Sequence, residues 1–211
     1  MAKWSQALQP LIYVIFGSFF LGMMVLIIDE VNAGREIDLK AVVKSTAKVY
    51  IHLFLVTLFS AILVLVLFDF YGGGMLLARQ FLSSAKVPEI LGKVLGAALP
   101  YFSILIPVVV TTLLAFVVPA IVIDRKKVLS ACVTNFQILW GASGFVFWIV
   151  LLPVLLYVPF LLLRSSRDAF QAYFIPEIGG MVVAASILVL LFVEALQYTA
   201  ITTFYLLQKG R

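Results

Sequence analysis

Residues 94–123 read VLGAALPYFSILIPVVVTTLLAFVVPAIVI, a run without one charged side chain, punctuated by Pro100, Pro107 and Pro119. A helix needs about 17–25 predominantly apolar residues to cross the hydrocarbon core of a bilayer. This run exceeds that length, and its prolines predict kinks. It reads either as one tilted, broken span or as a tight re-entrant hairpin that would add a crossing. Four further apolar runs flank it, at 11–28, 51–68, 138–163 and 181–207. The fourth in chain order carries Pro153 and Pro159, so a bend is expected near its end.

Composition agrees with that reading. Of 211 residues, 64% are hydrophobic and 12% charged, where soluble domains are about half apolar and about a quarter charged. Water could not solvate so much apolar surface with so few charges, whereas lipid can. The expectation is an all-α, polytopic transmembrane bundle of five or six spans, forming a single domain over residues 1–211. The first run resembles a signal peptide, with Val31, Asn32 and Ala33 placed like a cleavage site. Its apolar core is long and Asp29 and Glu30 intervene, so an uncleaved anchor is expected.

Two stretches before membrane runs are amphipathic. Over 38–50, a helical projection puts Leu39, Val42, Val43, Val49 and Tyr50 on one side and Lys40, Lys44 and Lys48 on the other. Over 124–137, Val128, Leu129, Cys132, Val133 and Phe136 share a face behind Arg125, Lys126 and Lys127. These are two juxtamembrane amphipathic helices, either separate at the surface or continuous with the next span, with the six basic side chains as contacts for lipid headgroups. The stretches also align: 37–43 matches 123–129, Tyr50 falls on Phe136 and Leu53 on Leu139 at an offset of 86 residues. That is the mark of a twofold repeat of span, amphipathic helix and span. The segments 71–93, with Gly72, Gly73 and Gly74, and 164–180 read as connections.

Lys and Arg counts set orientation. With five crossings, Lys3, Arg79, Lys86, Lys93, Arg164 and Arg167 fall on one side. Arg35, Lys40, Lys44, Lys48, Arg125, Lys126, Lys127, Lys209 and Arg211 fall on the other, placing the C-terminus in the cytoplasm. The net charge of +5 is thus a topology signal, and nucleic acid is not an expected partner.

Candidate chemistry is sparse. Gly141-Ala142-Ser143-Gly144 resembles the Gly-x-Ser-Gly of rhomboid intramembrane proteases, but a serine nucleophile needs a positioned base. No histidine follows Ser143, and the sole histidine, His52, precedes it. Small residues for close helix packing explain the motif better. Glu194 is the ionisable residue deep in an apolar run, and Gln197, Tyr198, Thr202 and Tyr205 share its face. A carboxyl there serves a helix interface or a proton or ion relay. Trp4, Trp140, Trp148, Tyr101 and Tyr157 read as interface anchors or packing residues. Neither a phosphate loop, a dinucleotide fingerprint, a haem attachment sequence nor a zinc-binding motif is present, so no cofactor and no enzymatic activity are expected. Cys132 is alone and forms no disulfide within the chain.

Residues 116–124 (FVVPAIVID), followed by Val128-Leu129-Ser130-Ala131-Cys132, resemble a feature of YciC-like bacterial membrane proteins and of the membrane domain attached to some glycerophosphodiester phosphodiesterases. The ending Thr202-Thr203-Phe204-Tyr205-Leu206 is similar to theirs, whereas Asn135-Phe136 stands where those families carry Ser-Trp. The resemblance covers the C-terminal half. It implies a non-enzymatic bundle of about six helices in a bacterial inner membrane, and no catalytic residue carries over. Two functions remain open: a membrane subunit or scaffold working through lipids and through membrane-protein partners or a second copy of itself, or a small transporter or channel using Glu194 and the broken helices.

Overall fold

A computed structural model describes residues 13–84, 99–159 and 176–210, all helix and short connections. Lys3, Trp4, Lys86, Lys93, Arg164, Arg167 and Arg211 lie outside the described residues. A π-helical turn, Tyr13–Gly17, leads into α1, Ser18–Asn32. Then follow α2, Leu39–Ser84; a 3-10 turn, Leu99–Ile104, opening α3, Leu105–Leu113; α4, Val117–Val122; α5, Val128–Leu155; and α6, Pro176–Gln208. Among the described residues, five helices are long and apolar enough to cross a membrane, and the third of them, Phe102–Val122, is the broken one.

That broken span is the axis of the bundle. Within its membrane-length window 56% of residues are buried, against 17–28% in the other four. It therefore sits inside, with α1, α2, α5 and α6 around it: α3 packs on α2 and α5, α4 on α1, α2 and α5, while α6 packs on α1 and α5. Phe116 at the break is fully buried and stacks on Phe204 and Tyr205 of α6, ring centroids 5.8 and 6.1 Å apart. Along the axis, 113–116 lie level with Asn135, and Ser103, Ile104 and Pro107 share a cavity with Val154 and Tyr157. The run thus goes through the bundle once, antiparallel to α5, as one broken crossing and not as a hairpin.

Pro119 supplies the cause of the break. Proline has no N–H and its ring crowds the carbonyl four residues back, here that of Ala115. The helix gives way at 114–116, where Leu114 and Phe116 leave helical geometry. Two backbone groups are then stranded in the core, the Leu113 carbonyl and the Phe116 N–H, and an unpaired buried group is costly. Asn135 of α5 satisfies both: its Nδ2 donates to the Leu113 carbonyl at 2.7 Å and its Oδ1 accepts from the Phe116 N–H at 2.9 Å.

Two expectations are revised and one open alternative is decided. Helix α2 continues unbroken through Gly72, Gly73 and Gly74 to Ser84, so 71–84 is helix and not a connection. The segment 38–50 is the first part of that same helix, and 128–137 is the first part of α5; neither is a separate element. The faces also differ. On α2, Val42, Thr46, Val49 and Leu53 are buried while Leu39 and Val43 are exposed. On α5, Ala131, Thr134, Asn135 and Leu139 turn inward, and Leu129, Val133 and Phe136 turn out. In lipid the apolar face has no reason to hide, and small or polar side chains that pack closely or hydrogen-bond take the inner positions. The aligned pairs Val49 with Asn135 and Leu53 with Leu139 are buried in both copies of the sequence repeat.

Candidate functional site: a cavity beside Glu194

A cavity of about 570 Å³ lies between α2, the start of the axial span, the end of α5 and α6. Its volume is in the range of sites for small molecules, roughly 300–1,000 Å³. Pro107 of α3 sits in its wall, and Ala115 and Val118, either side of the bend, also line it. The wall is tight at Val56, Val108, Val118 and Ile201, all under 7% exposed. The lining is chiefly Leu, Val, Ile and Ala, with polar side chains from Thr57, Ser60, Ser103, Thr111, Tyr157, Glu194, Gln197 and Tyr198.

The three residues of α6 singled out in the sequence thus meet at one place but do different work. Gln197 is buried and donates through Nε2 to the Val150 carbonyl at 2.7 Å, tying α6 to α5. This is the turn before Pro153, where the missing proline N–H leaves the Ile149 carbonyl without its intrahelical donor. Glu194, one turn earlier, and Tyr198, the next residue, line the cavity. Thr202 and Tyr205 complete the inward stripe, both fully buried.

Hydroxyls sort by position. Thr46, Thr57, Thr112, Thr134 and Thr199 each donate to the carbonyl four residues back, at 2.7–3.0 Å, the usual way for threonine to satisfy itself in a helix. Ser60, Thr111 and Tyr198 make no hydrogen bond within the described residues, and all three line the cavity. They share that lining with Glu194.

At the far end of the bundle the charges collect. Asn32 at the end of α1 donates to Thr203 of α6 at 3.4 Å, and Arg125 in the α4–α5 loop reaches Ser45 of α2 at 3.5 Å. Arg35 pairs with Glu30 and, at 3.2 Å, with Asp29. Asp124 accepts from the Tyr205 hydroxyl at 2.7 Å and pairs with Lys209. Burial alone would raise the Asp124 carboxyl; hydrogen bonds from Lys209 and Tyr205, with the charges of Lys209 and Lys126, outweigh it and hold the group below the usual carboxylate range. Lys40, Lys44, Lys48, Arg125 and Lys127 are exposed, as headgroup contacts must be. Lys126 instead turns back to Thr134 Oγ1 at 2.6 Å and to Asp124 at 3.9 Å.

Comparison with protein-family models, curated proteins and solved structures finds no match. The function therefore has to be read from the geometry.

Ser143 lies exposed on the outer face of α5, where nothing approaches Gly141 or Gly144. Of the motif, Ala142 packs against the core, while Gly141, Ser143 and Gly144 are exposed. Sequence reasoning missed Asn135 and Asp124. The signal for Asn135 was present: an amide that can donate and accept at once, in an apolar helix alongside a proline-broken neighbour.

Proposed function

We propose that this is an integral membrane protein that binds a small solute inside its helix bundle and passes it through the membrane, as a small transporter. The observation that carries the reading is the cavity inside the bundle, with Glu194 and unspent hydroxyls in a chiefly apolar wall. An ionisable group in a span is expensive to keep and defaults to a functional role. Broken helices recur at transport sites because they free backbone and space at the membrane midplane. Solute uptake into proteoliposomes tests it, followed with ethidium as an organic cation and with a trapped pH dye for protons. Uptake above that of empty vesicles, lost in Glu194→Gln, is the expected result. Rates equal to empty vesicles for both proteins would contradict it.

The exposed Lys40, Lys44, Lys48, Arg125 and Lys127 support headgroup contacts on a cytoplasmic face, with the C-terminus on that side, in the plasma membrane of a bacterium as the YciC-like resemblance implies. A second reading, a membrane subunit, is favoured by the outer face of α5. Leu129, Val133, Phe136, Trp140 and Trp148 project from it, and Trp140 is 92% exposed. Trp140 stands twelve residues into the helix, about 18 Å from its start, away from the headgroups that usually hold tryptophan. If this face docks a partner or a second copy, Trp140→Ala reduces the size of the detergent-extracted complex on gel filtration while leaving its thermal stability unchanged.

A further inference from the structure

We propose that one anionic phospholipid occupies a fixed position on the outside of α2, its phosphate between Arg125, Ser45 and Lys48 and its acyl chains along Ile51, Leu55 and Phe59. The inference rests on the headgroup reading above and adds to it a place and a ligand class.

The place follows from one face of α2. Lys44, Lys48, Ile51, Leu55, Phe59 and Ile62 recur at spacings of three and four residues, so they form a single stripe along the helix. All six are exposed among the described residues. The stripe changes character once: two ammonium groups come first, and four apolar side chains follow over about 16 Å. A soluble anion would use only the first part. A phospholipid uses both, because its charged head is joined to chains that run toward the midplane. The change also falls at the right depth. Lys48 stands three residues before Ile51, where one apolar run begins, and Arg125 two residues after Ile123, where another ends. Both lie within a headgroup layer roughly 5–8 Å deep.

The ligand class follows from what the cations leave unspent. Arg125 reaches Ser45 of α2 at 3.5 Å, on the turn that carries Lys44 and Lys48. That is a long contact to a neutral hydroxyl. Lys44 and Lys48 make no ion pair or hydrogen bond among the described residues. Carboxylates at this end have other work: Asp29 and Glu30 pair with Arg35, and Asp124 with Lys209. Glu36 and Asp38 precede α2, nine and seven residues from Ser45 on its water side. Arg125 is also held in place at a conformational cost. Its φ of 53° is left-handed, which glycine adopts freely and a residue with a Cβ does not. The turn lets the Lys126 N–H close on the Ala120 carbonyl at 3.3 Å. Glycine would serve that turn better, and the guanidinium is what arginine adds. A phosphate oxygen between Arg125 and Lys48 accepts from both, in charge-assisted bonds of the stronger kind. A zwitterionic head would bring its own ammonium into the same group of cations, so a head of net negative charge fits best.

The test is native mass spectrometry of the full chain in mild detergent, titrated with dioleoylphosphatidylglycerol, dioleoylphosphatidylcholine or glycerol 3-phosphate. The first phosphatidylglycerol should bind about tenfold more tightly than phosphatidylcholine, and glycerol 3-phosphate should not compete with it. Arg125→Gly removes the guanidinium while relieving the left-handed backbone. It should keep the thermal midpoint of the wild type and still lose about tenfold in affinity. Lys48→Gln should lose a similar factor. Lys40→Gln removes the same charge eleven residues before Ile51, beyond the headgroup layer, and should change affinity less than about twofold. Equal losses in Lys40→Gln and Lys48→Gln would mean diffuse attraction; the fixed position then fails and the headgroup reading stands. Full affinity in Arg125→Gly would overturn the position in the same way. Competition by glycerol 3-phosphate would replace the lipid with a phosphate arriving from water. Phosphatidylglycerol bound no better than phosphatidylcholine by the wild type would sink the position and the headgroup reading together.

Discussion

Two buried polar side chains decide how the broken axis is held. Asn135 closes the helix break with one donated and one accepted hydrogen bond, so Asn135→Leu strands the Leu113 carbonyl and the Phe116 N–H in an apolar core. Each orphaned group costs about 1–3 kcal/mol. The substitution should therefore lower the thermal midpoint in detergent more than Gln197→Leu, which frees only Val150; equal midpoints would deny Asn135 that role. Asp124 governs the other end. Its carboxyl is held below the ordinary value near 3.8 by Lys209 and Tyr205, against burial, so its contribution is complete above that value and disappears as pH falls through the lower folded one. Hydrogen exchange over 203–210 should accelerate in acid in the wild type. In Asp124→Asn it should start faster and show a flatter pH profile. An acid response unchanged by the substitution would assign it to other carboxyls.

The order of the long apolar helices was legible at element scale because lipid demands long apolar runs. Which face turns inward was legible for the polar stripe of α6 and for Val42 and Val49 of α2, but not at the start of α5, because burial in a membrane follows size and hydrogen bonding as well as hydropathy. The start of α5 shows it: a projection favours Val128, Leu129, Cys132, Val133 and Phe136 as the packed face, but Leu129, Val133 and Phe136 turn out, Val128 and Cys132 are only partly buried, and Ala131 and Asn135 hold the buried place. Helix α2 shows a second limit. Its 46 residues extend roughly 70 Å, far beyond a bilayer core, and the glycines that read as a turn are tolerated where the chain is already committed to helix. Close packing of α1 on α2 rests on Gly22. A Cβ there would stand 2.5 Å from Leu53 Cδ1 and 2.8 Å from Thr46 Cγ2. Both side chains are buried, and Thr46 is fixed by its bond to the Val42 carbonyl. Gly22→Val should cost about 1–3 kcal/mol by overpacking and expose the α1–α2 connection, at 33–38, to protease. Equal proteolysis in variant and wild type would show that the two helices separate easily.

For the molecule as a whole, the proline-rich run singled out first is the axis, and the four remaining spans form its wall. Glu194 was visible as an oddity in the sequence; the cavity it faces was not, because that depends on how far Pro107 and Pro119 divert one span from its neighbours. The orientation of the bundle is a further prediction. A phosphatase fused after Lys209 should be inactive and a cytoplasmic reporter active at that position if the basic end faces the cytoplasm, and the reverse pattern would invert the bundle. The central claim, that the bundle exists to hold a small molecule, is tested most directly by native mass spectrometry of the protein released from mild detergent. The account predicts a bound small molecule on the wild-type chain, beside any phospholipid, that is absent from Ala61→Trp, which fills the cavity, at equal folding; no such molecule on either chain, or the same one on both, would contradict it.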